Sequence, residues 1–213
     1  NNDVQIGDLL EYIASTSGEA ISVSKVGGKD AINVLDKTSL WIMLYSLEVD
    51  LADASLLHWT DFEKLVQHAM VENGYLTRKN YRFMDGKGYR HEVDVVAIDR
   101  HAREHFIFLI DAKHWDYRAN SSTARLMEAA NEQYNRCVAL GDSHDVLSGL
   151  LHEFNLVSWT RCIIVPMVVT LLAPPVHDFF IPIVSILQFN EFIQDFTEHM
   201  DTFKKKYVND IRT

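Results

Sequence analysis

Cysteine is scarce in this chain and long apolar runs are missing. Cys137 and Cys162 are the only two cysteines in 213 residues. They fall in a predicted helix and a predicted strand without metal-ligand spacing, so they read as buried free thiols of a reducing, cytoplasmic compartment. No stretch approaches the eighteen or so uninterrupted apolar residues of a membrane span, and a soluble protein with no membrane partner is expected. No basic segment followed by an apolar one opens the chain, which begins Asn1-Asn2 without Met. The first residues are therefore expected to be trimmed or the sequence to begin internally. Internal repeats and low-complexity tracts are missing too. The ten histidines form no His-x-x-x-His or comparable ligand pair on a predicted helix. Positive charge is in deficit, with a formal net charge of −10 that by itself argues against a nucleic-acid partner. What is present is apolar material: a hydrophobic content of 47% is enough to bury a substantial core, giving one main domain with an appendage.

Two adjacent segments carry the chemistry. His91-Glu92-Val93-Asp94-Val95-Val96-Ala97-Ile98 and Phe106-Ile107-Phe108-Leu109-Ile110-Asp111-Ala112-Lys113 read as neighbouring strands. The run 106–110 is continuously apolar and rich in β-branched and aromatic residues, as expected of a strand covered on both faces. Asp111 and Lys113 end it on one face, about 7 Å apart at a rise of roughly 3.3 Å per residue. Acid-x-Lys at the end of a core strand, with Asp94 at the middle of the preceding one, suits metal-dependent phosphodiester hydrolysis. The carboxylates hold a hard divalent cation through oxygen, and the lysine supports the attacking water or the developing phosphorane charge.

In these residues the chain resembles the PD-(D/E)xK nuclease superfamily, with Asp94, Asp111 and Lys113 in its motif slots. The resemblance covers about residues 58–200 and is closest to Mrr-like restriction endonucleases and archaeal Holliday-junction resolvases. It departs in having Asp at 111, where many relatives have Glu, and His91-Glu92 in place of the eponymous Pro. The resemblance implies a restriction-endonuclease-like α/β core, a mixed central sheet flanked by helices in the order αβββαβ. It also implies Mg²⁺ or Mn²⁺ held by Asp94, Asp111 and the carbonyl of Ala112, with Lys113 orienting or activating water. The helix in "WTDFEKLVQHAMVENGY" matches the family's preceding helix and puts Glu63 in its acidic slot. Thr60 and Glu63 also form a capping box, so Glu63 is either a metal ligand or a helix cap. Gln133, on the apolar stripe Leu126, Ala130, Cys137 and Leu140, is either a further site residue, as the family's helical Gln or Lys suggests, or a satisfied core amide.

The local charge balance runs against the global one. Residues 76–125 hold ten Lys or Arg against seven Asp or Glu, a balance of +3, while the remainder carries −13. Most of the excess lies in "LTRKNYRFMDGKGYRHE", where Arg78, Lys79, Arg82, Lys87 and Arg90 alternate with Tyr81 and Tyr89. That pattern is either an electrostatic footprint for DNA or an exposed hairpin with a solvated basic face. His91 and His114 neighbour the site but are not expected to bind Mg²⁺, which prefers oxygen.

The remaining chain divides into a small, mainly helical unit over 1–57 and the nuclease-like domain over 58–213. Helices are expected over 3–16, closed by Gly18, and from Asp36 or Thr38 to about Leu47. Residues 20–35 look loop-like or weakly extended around Gly27-Gly28. The unit either packs on the main domain or serves as a partner-binding or DNA-reading module. After Lys113 a helix capped by Ser121 or Ser122 runs to Gly141. Strands follow over 162–170 and 180–187, separated by a Pro174-Pro175 loop. A final helix begins near Asn190 and ends in Lys204-Lys205-Lys206, which complements its dipole or contacts DNA. The expected activity is restriction-like DNA cleavage, with junction or repair cleavage as the nearest variant and a non-cleaving DNA-binding subunit as the alternative. Oligomeric state stays open, a homodimer included.

Overall fold

The computed structural model describes residues 21–26, 29–46, 58–99, 104–114, 122–171 and 180–211. It divides into two units, residues 1–65 and 66–213. The helix expected over 3–16, Leu47, Trp115–Tyr117, Ser121 and Pro174-Pro175 lie outside the described residues.

In the first unit, β1 (Ile21–Val26) and β2 (Lys29–Val34) pair antiparallel, from Ile21 opposite Val34 to Val26 opposite Lys29. The stretch expected to be loop-like or weakly extended is thus a hairpin. β-Branched residues recur in both strands and only two glycines connect them, a combination that favours a tight antiparallel turn. Helix α1 (Lys37–Ser46) starts at Asp36, whose Oδ1 accepts the Thr38 and Ser39 amides at 2.9 and 3.3 Å. Bonds from the Ser39 hydroxyl and amide hold the Asp36 carboxyl below its ordinary range.

Helix α2 (Trp59–Glu72) crosses the division between the units. Phe62, Leu65, Val66, Ala69 and Met70 recur at helical spacing and are all buried. The Thr60–Glu63 capping box does not form. His58 is the cap: its carbonyl accepts the Asp61 and Phe62 amides at 2.9 and 3.1 Å, and its ring Nδ1 lies 2.8 Å from Thr60 Oγ1. Thr60 is therefore already inside the first turn, two residues too late to accept the bond that the box requires. At the other end Gly74, at φ +84°, takes the left-handed position, and the Tyr75 amide reaches back to the Met70 carbonyl at 3.0 Å.

The second unit is built on a six-stranded mixed sheet. β3 (Leu76–Met84), β4 (Arg90–Asp99) and β5 (Phe106–Lys113) form an antiparallel meander. The chain then crosses through α3 (Ser122–Asp142) and α4 (His144–Glu153) to β6 (Arg161–Thr170), which lies parallel to β5. The sequence pattern does not anticipate α4. β7 (Ile183–Ser185) pairs parallel with the last residues of β6, and β8 (Lys206–Asn209) pairs antiparallel with its first. Ile107 and Leu109 of β5 share one core with Val96, Ile98, Ile164, Cys137, Leu140 and the α4 residues Leu147, Leu150 and Leu151. On the opposite face Phe106 and Phe108 meet Phe196 edge-on at 5.5 and 4.9 Å between centroids. Both cysteines are buried free thiols.

The C-terminal expectations need two corrections. The strand expected over 180–187 keeps only three residues before Ser185 caps a short 3₁₀ turn, its Oγ accepting the Leu187 amide at 3.2 Å. The single terminal helix is replaced by two short ones, α5 (Phe189–Gln194) and α6 (Phe196–His199), and the chain then extends into β8. Strand β8 satisfies backbone groups along the edge of β6 that a helix would leave open. The three lysines are consequently not at a helix terminus. Lys204 lies over the Tyr134 and Phe180 rings, Lys205 donates to the Met200 carbonyl at 2.6 Å, and Lys206 reaches Asp142 at 2.5 Å. The Lys206 stem covers Gly141, where a Cβ would stand 2.7 Å from its Cγ.

Candidate active site

Asp94 sits at a one-pair gap in the ladder of β4 with β3 and one residue beyond the end of its ladder with β5. Its register partner on β3 would be Asn80, but the ladder skips that pair and Asn80 has φ +50°. Both strands change face at this point. Leu76, Val96 and Ile98 on one side of it and Tyr81, Phe83 and Val93 on the other all belong to the same core. Towards β5 the ladder ends at Val95 opposite Ile110. One step on, Asp94 Oδ2 accepts the Ala112 amide at 2.8 Å in place of a backbone carbonyl. Strand β5 meanwhile stays paired to β6 as far as Lys113 opposite Thr170, so Asp111 and Lys113 project from a fixed backbone.

Asp111 is only 3% exposed. Its Oδ2 lies 2.9 Å from Lys113 Nζ, an ion-pair distance whose direction misses hydrogen-bond geometry, and its Oδ1 accepts from Arg136 Nη1 at 3.3 Å. The same Nη1 donates to Gln133 Oε1 at 2.7 Å, and Nη2 is 3.6 Å from the exposed Glu132. Gln133 is fully buried, and its Nε2 has no hydrogen-bond partner among the described residues. Burial and the charge of Asp111 push the Asp94 carboxyl up to about 6, against the opposing pull of the Ala112 amide, Lys113 and Arg136. Beside Lys113 opens a recess of about 430 Å³ lined also by Arg125, Glu128, Ala129 and Glu132.

Of the residues expected from sequence, Asp94, Asp111, Ala112, Lys113 and Gln133 meet at this end of the sheet. Glu63 is buried at 6% exposure on α2, in the first unit. Among the described residues no three His, Cys, Asp or Glu side chains form a metal-ligating group. The expected basic residues line the β3–β4 hairpin, but two carry partners. Arg78 pairs with Glu153 and lies over the Tyr81 ring, and Arg82 bonds Glu92 at 3.0 Å. Lys79 is half-buried, whereas Lys87 and Arg90 are exposed. A second recess of about 640 Å³ runs along Arg82, Phe83, Met84, Arg90, His91 and Glu92. His91 serves the turn: it lies 3.1 Å from Asp85, whose other oxygen accepts the Lys87 and Tyr89 amides, and it stacks on Phe83.

The residue that sequence reasoning misses is Arg136. Its signal was its place three positions after Gln133 and next to Cys137, at the edge of an apolar stripe where a charge needs a partner. Comparison with protein-family profiles, curated proteins and solved structures gives no match.

Proposed function

We propose that this chain is a metal-dependent endonuclease hydrolysing DNA phosphodiester bonds, with Asp94 and Asp111 as ligands of Mg²⁺ or Mn²⁺. The observation that carries the reading is the convergence of two carboxylates and a lysine at the end of one central strand, where Asp94 bonds the amide between Asp111 and Lys113. The donor set fits such an ion. It is all oxygen, one buried carboxylate oxygen makes no hydrogen bond among the described residues, and burial together with the charge of Asp111 makes Asp94 hold its proton to about 6. Two carboxylates suffice because Mg²⁺ keeps several of its waters. The Ala112 carbonyl is the third candidate donor. When bound, the ion would supply a water of lowered pKa and stabilise charge on the phosphate.

The protein's own groups have separate tasks. Lys113 holds a fixed positive charge where the attacked phosphate would lie, and Asp94 and Asp111 set the position of the cation against β5. Gln133 acts through Arg136. Lys87 and Arg90, with Arg78, Lys79 and Arg82, attract the phosphate backbone. The element order α2, β3, β4, β5, α3, β6 supports a restriction-endonuclease-like core with α4 inserted into the crossover. Restriction-like cleavage is therefore the first assignment, with junction or repair cleavage next. A non-cleaving DNA-binding subunit is favoured by one observation, that Lys113 and Arg136 already neutralise Asp111.

Plasmid, single-stranded and branched DNA incubated with Mg²⁺, Mn²⁺ or EDTA decides between them. Cation-dependent cleavage by the parent, lost in Asp94→Asn and in Asp111→Asn, is expected. DNA binding without cleavage of any substrate by the parent assigns the non-cleaving subunit instead.

A further inference from the structure

Asp111 is nearly inaccessible to water, and a buried carboxylate needs a counter-charge. Lys113 provides one at Oδ2 and Arg136 another at Oδ1. Lys113 belongs to the motif. Arg136 comes from a different element, one helical turn along α3, and its placement is specific: a single nitrogen is shared between Asp111 Oδ1 at 3.3 Å and Gln133 Oε1 at 2.7 Å. Guanidinium has donors only, so Gln133 must turn its oxygen towards Arg136 and its Nε2 away. That Nε2 is left buried without a partner among the described residues. An orphaned buried donor costs about 1–3 kcal/mol, so the orientation of Gln133 is dictated by Arg136 and not by the amide's own bonding.

We propose that Arg136, held by Gln133, is a built-in counter-ion to Asp111 that opposes a divalent cation and so sets the cation affinity of the site. The inference rests on the metal-site reading above. Two carboxylates beside two fixed cations carry no net formal charge, so a divalent ion gains less there than at the same carboxylates without Arg136. Arg136 stabilises the metal-free protein and raises the cation concentration needed to fill the site. It is a positioning residue, acting through Asp111.

Calorimetric Mn²⁺ titration and thermal melting in EDTA, on the full chain, test this. Arg136→Gln should melt lower than the parent in EDTA yet bind Mn²⁺ on the order of tenfold tighter, the effect of removing a unit charge from beside a divalent ion. Arg136→Lys, which keeps the charge, should keep parental Mn²⁺ affinity. A purely structural role would lower the melting temperature without tightening Mn²⁺ binding. Should the Gln variant fail to fold, Arg136→Met fills similar volume without charge and gives the same comparison. Equal or weaker Mn²⁺ binding by the uncharged variant overturns this inference alone. A parent that binds no Mn²⁺ overturns it together with the metal-site reading.

Discussion

Asp94 is the residue through which pH should act on the metal-free protein. Its carboxyl holds its proton to about 6 in the folded chain, against an ordinary value of 3.8. The folded state therefore binds the extra proton, and the stability this gives is complete below about pH 4, is lost between 4 and 6, and stays lost above. The difference corresponds to on the order of 3 kcal/mol. Asp94→Asn can still accept the Ala112 amide but cannot ionise. In EDTA it should gain melting temperature relative to the parent as pH rises from 4 to 7, and parallel melting curves across that range would reject the assignment. On the proposed nuclease reading, Lys113 separates binding from chemistry. Lys113→Ala should abolish cleavage while DNA binding in Ca²⁺ weakens only slightly, because phosphate affinity is spread over the hairpin cations. Parental cleavage by that variant removes Lys113 from the reaction.

At the scale of single elements, the helix starts show how capping is decided. Asp36 accepts two amides of α1, so Asp36→Ala should cost about 1 kcal/mol by denaturant unfolding. Thr60→Ala should cost less than Asp36→Ala, because His58 and not Thr60 supplies the carbonyl at the start of α2. A larger loss for Thr60→Ala would restore the capping box. The periodicities of α2 and α3 and the apolar run of β5 were legible because each buries a stripe or strand whose spacing is written in the chain. The terminal segment was not. Ile193, Phe196, Met200 and Phe203 mimic helical spacing. What overrides it is the edge of β6, where Val208 pairs with Cys162 and the Lys206 stem settles over Gly141. A strand that completes another strand's edge answers to a partner more than forty residues away, and local spacing carries no trace of it.

For the whole molecule, charge placement matters more than net charge. A protein at −10 can meet DNA only through a local cationic surface, and the pairing of Arg78 with Glu153 and Arg82 with Glu92 leaves Lys87 and Arg90 as exposed hairpin cations with no ion pair among the described residues. Arg90→Ala should lower the slope of log Kobs against log salt by about 0.9, whereas Arg82→Ala should change it less because Glu92 already offsets that charge. Equal effects, read by titration of a duplex at several salt concentrations, would show that the ion pair opens on binding. No helix among the described residues is long and apolar enough to cross a membrane.

The sequence by itself determined that Asp111 and Lys113 share a face at the end of a buried strand, since a strand alternates with period two and its apolar run stops there. It also determined that α3 would turn Gln133 inward with Cys137 and Leu140. Tertiary structure alone decided that Asp94 bonds the Ala112 amide, that His58 displaces Thr60 as the cap, and that Arg136 bridges Asp111 and Gln133. The division has one cause. Periodicity fixes which way a side chain faces along its own element, but which element it meets depends on strand register and on how a helix lies across the sheet. Those are set by the whole buried core at once.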